Sequence, residues 1–386
     1  MAINGKHVTH EYQSVAGDLT GIILDDTKIQ WHQDRLQQWE NGERFAPITV
    51  DMALTRACQY ACVFCYALMQ ENERQDITEE VMEKFLVDCS EIGVKGISLV
   101  SDGESTLSKA YQYSITRGAE LGMSMASGTN GYLVTEEVSE KILPSLTYMR
   151  INFDAGTPDS YAKIMGVPPE FYHKVVDNIK HMVAIKKRDN LDVTIGMQMV
   201  LLPQYGEEVL PLTELAVELE VDYLVIKHCS DDEEGSLGVD YQKYKDWYDV
   251  LKQAEAMSTD KTQVSAKWNK ITVEGQRDYS RCYGAPFLLQ ISGSGLVAPC
   301  GMLFNDRYRK FHIGNIVDES FKEIIESDRY WEVMGYLSSS KFDAKRMCGS
   351  LCLQDLPNRV LDQHRKGEID ILSAPAGKQP QHLNFI

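Results

Sequence analysis

A regular alternation of short apolar stretches and amphipathic helices restricts the fold of this chain more than any other feature. Strand-like runs begin with FAPITVDMALT (45–55) and continue at 95–101, 123–128, 147–153, 192–201 and 221–227. Most stretches between them have helical periodicity, and several begin with Thr, Ser or Pro followed by Glu, as helix N-termini favour. Nearly continuous apolar strands separated by helices predict an α/β fold with a parallel sheet covered on both faces. Six such units fit between residues 48 and 230.

The composition excludes several classes of protein. The chain has 386 residues, of which 39 are basic and 57 acidic, giving a formal charge of −18. This balance repels a phosphate backbone, so we expect no nucleic-acid partner. No apolar run approaches the roughly 18 residues of a membrane span, and the start MAINGKHVTHEY lacks the apolar region of a signal peptide. We expect a cytoplasmic protein with no membrane partner.

The pattern changes along the chain and predicts five segments. They are a helical lead-in over 1–47, an α/β core over 48–230, a connector and helix over 231–280, a cysteine-bearing α+β region over 281–354, and a polar tail over 355–386. The acidic stretch SDDEEGSLGVD (230–240) fits a solvated linker better than a cation or substrate contact. The tail is expected to be extended, either wrapping the core or disordered.

Three cysteines lie within eight positions in CQYACVFCYA (58–67), which follows the first predicted strand. Nine cysteines in a cytoplasmic chain do not predict disulfides, and thiolates bind zinc or iron–sulfur clusters. Cys58, Cys62 and Cys65 supply three ligands with no histidine within twenty residues, which favours a four-iron cluster with one open iron over closed zinc. Cys89, within a helical pattern, is expected to be an ordinary buried thiol.

The C-x3-C-x2-C spacing, with Phe64 beside the third cysteine, resembles the radical S-adenosylmethionine (SAM) superfamily. The resemblance implies that Cys58, Cys62 and Cys65 bind a [4Fe–4S] cluster whose fourth iron is chelated by SAM. It implies that Phe64 packs near the adenine. It also implies a partial (β/α)6 TIM-like barrel over about 48–230, in which reductive cleavage of SAM gives a 5′-deoxyadenosyl radical.

The second and third strands end in further motifs of this family. SDGEST (101–106) resembles the family's Gly-Gly-Glu-Pro, which holds the SAM amine; Gly103 and Glu104 match it, whereas Asp102 and Ser105 depart from it. GTNG (128–131) resembles the family's Thr-Asn-Gly turn and implies that Asn130 contacts SAM.

The fourth strand, MRINFDAG (149–156), resembles the family's Arg-Ile-Ser-Leu-Asp-Gly, with Asn152 in place of the serine. Asn152 and Asp154 are two residues apart on a strand and therefore point to the same face. Either the SAM ribose or the substrate lies within their expected reach.

A second set of four cysteines lies near the end of the chain: Cys282, Cys300, Cys348 and Cys352. Four thiolates also suit zinc, so that alternative stays open. The Gly-Ser-Gly between the first two predicts a β-hairpin turn at Gly295. C-x12-G-x4-C beyond such a barrel resembles the SPASM/twitch extensions. The resemblance implies one fully ligated auxiliary [4Fe–4S] cluster that conducts or accepts electrons.

The sixth strand ends in VIKHCSDD at the predicted mouth of the barrel. Alternation sends Lys227 and Cys229 to one face and His228 to the other. Lys227 is a candidate ligand for a phosphate or carboxylate, or a partner of an acidic neighbour. Cys229 is a candidate hydrogen-atom donor or an ordinary buried cysteine, and Arg150 is either substrate-facing or structural.

These features predict a radical SAM enzyme that takes a hydrogen atom from a small polar substrate, such as a sugar, aminocyclitol or nucleotide-linked sugar. The expected outcome is oxidation, with the auxiliary cluster as electron acceptor and a flavodoxin- or ferredoxin-type protein as electron donor. The alternatives are a radical epimerase using Cys229 and a peptide-modifying enzyme. A scaffold with two structural zinc sites is the non-enzymatic alternative.

Overall fold

A computed structural model of the chain describes residues 28–72, 75, 77–273, 276–350 and 352–386. The first 27 residues of the predicted lead-in lie outside the described residues. Within the described part, no helix is both long and apolar enough to cross a membrane.

One sheet of ten strands organises the described residues. The strands are β1 (Thr49–Met52), β2 (Gly96–Leu99), β3 (Ser124–Thr129), β4 (Tyr148–Asn152), β5 (Thr194–Leu201), β6 (Tyr223–His228), β7 (Gln263–Ala266), β8 (Leu288–Ile291), β9 (Leu296–Ala298) and β10 (Gly314–Asn315).

Thirteen α-helices lie in the described part of the chain. They are α1 (Gln33–Glu40), α2 (Glu79–Ile92), α3 (Tyr111–Glu120), α4 (Glu136–Ile142), α5 (Pro158–Met165), α6 (Glu170–Asp189), α7 (Val209–Glu218), α8 (Tyr248–Ala256), α9 (Trp268–Ile271), α10 (Phe321–Glu326), α11 (Asp328–Ser338), α12 (Ala344–Met347) and α13 (Asp355–Arg365). Short 3₁₀ segments lie at Lys28–Trp31, Tyr66–Met69, Ser105–Leu107, Leu143–Ser145, Pro203–Glu208, Tyr241–Trp247, Gly301–Leu303 and Asp306–Phe311.

The strand order is β10-β9-β8-β1-β2-β3-β4-β5-β6-β7, and every pairing from β8 to β7 is parallel. The predicted mixed α/β fold with a mostly parallel sheet is confirmed, and all six predicted strands are present. The predicted hairpin is also confirmed, because β8 and β9 pair antiparallel across a turn with Gly295 at φ +84°. Sequence reasoning missed β7 and β8 as parallel strands of the same sheet.

The local signals that start and stop the helices act as predicted. Thr78 caps α2 by accepting a hydrogen bond from Val81 N–H at 3.3 Å, and two glutamates occupy the first turn. The same helix ends at Gly93, whose φ of +84° is a left-handed conformation that suits glycine. Thr135 caps α4 in the same way. Such caps fix where each helix returns the chain to the next strand.

The two faces of the sheet differ in chemistry. The face that packs on the helices is apolar and buried, with Ile97, Met149 and Ile195 fully covered. The opposite, inner face carries polar and charged groups, including Asp51 and Arg150, which line one cavity. Because strand side chains alternate, the same strands that build the core deliver polar groups into the barrel.

Two predictions about the later segments are wrong. The residues 355–365 form helix α13 instead of extended tail, and Val360 and Leu361 are buried on one side of it. The acidic stretch after β6 is not a solvated linker at its start: Asp231 and Asp232 are 3% and 7% exposed. Both carboxylates accept backbone N–H hydrogen bonds from the turn that follows them.

The last residues of the chain cover the N-terminal ends of the strands. Asn384 accepts a hydrogen bond from Thr49 Oγ1 at 2.7 Å through its carbonyl and donates one to Ser124 Oγ at 2.9 Å. Phe385 packs edge-on against Tyr148, with ring centroids 4.9 Å apart. Of the two alternatives for the tail, this part wraps the core.

Two glycines determine where the cysteine loop leaves β1. A Cβ built on Gly103 would lie 1.9 Å from the carbonyl oxygen of Thr55, and one built on Gly293 would lie 2.2 Å from the carbonyl carbon of Thr55. The chain between β1 and Cys58 therefore passes between the loop after β2 and the β8–β9 turn. Neither neighbour leaves room for a methyl group.

We predict that Gly103→Ala lowers the free energy of unfolding by about 2 kcal/mol or more, because the methyl group meets rigid backbone. Urea denaturation of the cluster-free protein measures this change. Gly335→Ala is the matched control: it lies within α11 with open space around its Cβ position, and alanine is expected to stabilise that helix by up to about 1 kcal/mol. Equal effects of the two substitutions would contradict the packing argument.

We also predict that Phe385→Ala lowers the free energy of unfolding by about 1 to 3 kcal/mol, because the tail loses its aromatic contact with Tyr148. The same denaturation experiment measures it. Ile369→Ala, at a side chain that is 37% exposed, should change stability by no more than about 0.5 kcal/mol. A wild-type stability for Phe385→Ala would show that the tail does not support the barrel.

Candidate active site

The first three cysteines lie together in the loop after β1, at the end of the sheet where parallel strands finish. The thiols of Cys58, Cys62 and Cys65 are close enough to interact electrostatically, and burial is the main cause that raises the pKa of each. The loop is attached to the end of α5 by hydrogen bonds from Ala61 N–H and Val63 N–H to the carbonyls of Met165 and Ile164. This backbone pairing directs the three thiols toward one region.

Glu104 is the buried carboxylate beside this loop. Its Oε1 accepts hydrogen bonds from Thr129 Oγ1 at 2.7 Å and Thr106 Oγ1 at 2.7 Å, and its Oε2 accepts one from Asn130 N–H at 2.8 Å. Burial raises its pKa, and these hydrogen bonds oppose the rise. The motifs after β2 and β3 are thus brought together, and Oε2 keeps acceptor capacity for an ammonium group.

Two buried polar atoms next to the thiols have no hydrogen-bond partner among the described residues. They are Nδ2 of Asn130, beside Cys58, and Oδ2 of Asp154, whose carboxylate interacts with Cys62. An unsatisfied buried donor or acceptor is costly unless a bound group satisfies it. Three convergent thiols with an adjacent free donor and free acceptor therefore fit a cluster with a polar organic ligand.

Phe64 lies within the cysteine loop, and Gly103 packs against the backbone that leads into it. Phe64 is half-buried and packs against the main apolar core, so its ring is placed at the loop. Gly103 contacts the backbone that leads into the loop, as described above. A glycine is needed at position 103 because the loop after β2 packs closely against the chain that leads into the cysteine loop.

Four further predicted residues lie along the inner face of the barrel. Asn152 Oδ1 accepts a hydrogen bond from Gln198 Nε2 at 2.9 Å on the neighbouring strand. Asp154 interacts with both Lys227 and Cys229. Burial is the main cause that raises the pKa of Asp154 to about 8 and lowers that of Lys227 to about 7. These side chains extend the polar region from the cysteine loop into the barrel.

The structure separates His228 from this group. Its ring lies 5.7 Å from the Tyr241 ring and 6.3 Å from the Tyr244 ring. Burial is the main cause that lowers its pKa to about 3. Cys229 is fully buried, with its backbone N–H donating to Tyr244 Oη at 2.8 Å.

The second set of cysteines is also brought together. Cys282, Cys300 and Cys348 each interact electrostatically with Cys352. Asn358 Nδ2 lies 3.6 Å from Cys282 Sγ and 3.8 Å from Cys352 Sγ. Tyr279 Oη lies 3.2 Å from Cys352 Sγ, so donors surround these sulfurs.

Tyr66 lies between the two sets of cysteines. It follows Cys65 directly, and it interacts electrostatically with both Cys65 and Cys300. A Cβ built on Gly301, the residue after Cys300, would lie 3.5 Å from the Tyr66 hydroxyl. One half-buried aromatic ring therefore adjoins both groups of thiols.

Within the described ranges, no three His, Cys, Asp or Glu side chains are arranged around a single metal ion. For reference, a tetrahedral zinc site with Zn–S bonds of about 2.3 Å holds its four cysteine sulfurs about 3.8 Å from one another.

Sequence reasoning missed several residues that contact the two cysteine sets. They are Tyr66, Arg277, Tyr279 and Asn358. Arg277 donates to the carbonyl of Ala344 and interacts with Cys348 and Cys352. Tyr66 and Tyr279 lie next to or near cysteines in the sequence, which is a weak signal, whereas Asn358 lies on the helix that the polar composition concealed.

Two family models match the sequence. The model of the Radical SAM superfamily matches residues 52–216, and the SPASM model, an iron–sulfur cluster-binding domain, matches residues 282–352.

Curated relatives resemble the chain at low identity. The AdoMet-dependent heme synthase of Methanosarcina barkeri is 23% identical over 304 residues, which is 73% of this chain and 83% of the relative. The probable GTP 3′,8-cyclase of Saccharolobus solfataricus is 26% identical over 173 residues, covering 44% of this chain and 53% of that relative.

Solved structures share the fold. Streptococcus suis SuiB bound to S-adenosylmethionine superposes with a TM-score of 0.60 at 15% identity, over 78% of this chain and 71% of that one. The enzyme anSMEcpe with bound AdoMet superposes with a TM-score of 0.55 at 16% identity, over 78% of this chain and 88% of that one. The solved structures share the fold, and the two family matches show that the chain belongs to the radical SAM superfamily and carries a C-terminal SPASM iron–sulfur domain.

Proposed function

We propose that this radical SAM enzyme removes a hydrogen atom from a small polar substrate in its barrel and oxidises that substrate with the auxiliary cluster as electron acceptor. The observation that carries the proposal is the position of Tyr66. This residue follows Cys65 of the first cysteine set and lies near Cys300 of the second set. An oxidation needs an exit for one electron near the site of hydrogen abstraction. A flavodoxin- or ferredoxin-type donor and a cytoplasmic location belong to the same proposal.

The cofactors follow from the two families: a [4Fe–4S] cluster with SAM, and auxiliary iron–sulfur. When bound, they supply a 5′-deoxyadenosyl radical and an electron acceptor. Cys58, Cys62 and Cys65 would hold the first cluster, and Cys282, Cys300, Cys348 and Cys352 the auxiliary one. Glu104 would accept hydrogen bonds from the SAM ammonium group.

Other residues around the thiols would orient the nucleoside part of SAM. Asn130 offers a free amide donor, and Asp154 offers a free carboxylate oxygen. Asn152 accepts a hydrogen bond from Gln198 through Oδ1, so its amide N–H groups could donate hydrogen bonds to a group bound in the barrel. Phe64 would pack near the adenine, in agreement with its position on the cysteine loop.

Lys227 would bind and orient the substrate. Its ammonium interacts with Asp154, which in turn adjoins Cys62. The lysine therefore lies on the side of the barrel that leads from the cysteine loop. Because burial lowers its pKa to about 7, an anionic or hydrogen-bonding substrate group would restore the charged form.

Epimerisation is a second candidate outcome, and Cys229 is the observation that favours it. Burial raises the pKa of this thiol to about 12, so the sulfur keeps its hydrogen at neutral pH. A hydrogen-atom donor must carry that S–H bond. Its neighbours Lys227 and Asp154 belong to the proposed substrate side of the barrel.

A peptide substrate is the other alternative. SuiB has been solved bound to a precursor peptide, with a TM-score of 0.61 to this chain at 15% identity. That similarity concerns the fold alone. The buried polar barrel interior supports a small polar substrate as the first choice.

The first test replaces Cys58, Cys62 and Cys65 with alanine in one variant. We predict no detectable 5′-deoxyadenosine from SAM under anaerobic reducing conditions, because three thiolates are lost from the proposed cluster. Wild-type protein should hold about eight irons for two four-iron clusters, and the variant about four. Cys89→Ala, which removes a buried thiol on α2, should retain both iron content and SAM cleavage. Undiminished 5′-deoxyadenosine in the triple variant would refute the ligand assignment.

The second test is Cys229→Ala, which distinguishes the two outcomes. If the enzyme oxidises its substrate, we predict that the variant cleaves SAM and forms product at rates within about threefold of wild type, since no chemical role is removed. Liquid chromatography with mass spectrometry measures both products. An epimerase would instead cleave SAM but stop before product. Cys89→Ala again provides the matched loss of a buried thiol.

A further inference from the structure

A cavity of about 170 Å³ lies in the lower part of the barrel, toward the N-terminal ends of the strands. Thr49 of β1 and Tyr148 of β4 form part of its wall, and the terminal segment containing Phe385 covers its base. The residues after β7 and the start of α13 complete it on the side where the sheet ends. The cavity is therefore distinct from the cysteine loop, which lies at the opposite ends of the strands.

The charged side chains that line this cavity are mostly cations. They are Lys28, Arg150, Lys267 and Lys270, against the two carboxylates Asp51 and Asp355. Burial is the main cause that lowers the pKa of Lys267, and its interactions with the other three cations and with Lys227 lower it further. Like charges collected in a half-buried space repel one another unless an anion joins them.

The two carboxylates offset the four cations only in part, because Asp51 interacts with Arg150 and Asp355 interacts with Lys270. Asp355 is engaged by Tyr279 Oη at 2.8 Å and by Arg359 Nε at 3.1 Å. Asp51 accepts a hydrogen bond from Gln290 Nε2 at 3.3 Å, and burial raises its pKa to about 7.

Arg150 and Lys267 have unused hydrogen-bonding capacity. Among the described residues, neither side chain makes a hydrogen bond or an ion pair, and Nε of Arg150 is buried without a partner. A guanidinium and an ammonium that face the same cavity match the geometry of an oxyanion.

We infer that this cavity binds the phosphate or carboxylate group of a small anionic substrate, with Arg150 and Lys267 as its principal ligands. The inference rests on the proposed function, because it names the substrate class for the same barrel. Arg150 also interacts with Lys227, which connects the cavity to the polar residues below the cysteine loop. A substrate anchored here by its anion would extend toward Lys227 and Asp154.

The size of the cavity suits such a group. A cavity needs about 10 to 15 Å³ of such volume to hold one water molecule, so the space is large enough for several waters. That space is sufficient for an oxyanion with a few attached atoms. The rest of the substrate would lie in the barrel above.

The test is isothermal titration calorimetry of inorganic phosphate into the cluster-loaded enzyme, under anaerobic conditions and at constant ionic strength set with chloride. Acetate is titrated in parallel, because the two anions distinguish a phosphate site from a carboxylate site. The variants are Arg150→Met and Lys267→Met, which keep side-chain length and remove the charge. Lys252→Met, at a largely exposed lysine of α8, is the matched control.

We expect one saturable site per chain for phosphate or acetate, with binding about tenfold to a hundredfold weaker in Arg150→Met and in Lys267→Met. Lys252→Met should bind as wild type does. Lys267→Arg should restore most of the affinity, which a purely structural role of Lys267 would not predict. Absence of saturable binding of both anions to the wild type, or equal affinity in all variants, would overturn the inference.

Failure of this inference and failure of the proposed function give different results. Anion binding requires no SAM cleavage, and 5′-deoxyadenosine formation in the wild type requires no anion. An enzyme that binds phosphate but does not cleave SAM would contradict the proposed function alone. An enzyme that cleaves SAM but binds neither anion would contradict the cavity assignment alone.

Discussion

A buried carboxylate at the end of β2 connects the three segments on which the site depends. Asp102 pairs with Arg56 at 3.4 Å, accepts a hydrogen bond from Ser292 Oγ at 2.6 Å and accepts another from Gly293 N–H at 2.8 Å. It thereby joins the cysteine loop, the loop that holds Glu104 and the hairpin of the SPASM region. Removing one partner of a buried ion pair leaves the other charge unsatisfied, so these segments hold their positions together.

Arg56 extends this network to the far end of the cysteine loop. Its guanidinium donates to the carbonyl of Asn72 at 2.6 Å and also to that of Gln70. Asn305 donates to the carbonyl of Met69 at 2.8 Å from the other side. The cysteine loop is therefore closed on itself and attached to the C-terminal region. This arrangement explains how a loop with little regular structure can present three thiols in a defined place.

The sequence predicted the six strands because each carries a period of two or a continuous apolar run of sufficient length. It did not reveal β7 or β8, whose four residues each include polar groups that face the barrel. Asp102 looked like a departure from the family motif, and only the contact with Ser292, 190 residues later, explains it. Helix α13 was concealed by its polar composition, although Val360 and Leu361 give it a buried side.

For the candidate site, spacing alone grouped the cysteines in two sets, since thiolate ligands occur in short recurrent patterns. The donors that surround the second set could not be grouped in that way. Tyr279 and Asn358 come from segments 79 residues apart, and both reach Cys352 only after folding. The cations of the barrel cavity likewise come from three separate segments, so no local charge pattern in the sequence indicates the cavity.

Lys270 lines the cavity and donates a hydrogen bond to the carbonyl of Cys352 at 2.8 Å. One side chain thus touches both the proposed anion site and a cysteine of the set proposed to hold the auxiliary cluster. Negative charge in the cavity disfavours the addition of an electron to a cluster nearby and lowers its reduction potential. By reciprocity, the reduced cluster weakens the hold on the anion. The electron that leaves the substrate would in this way help to release the product.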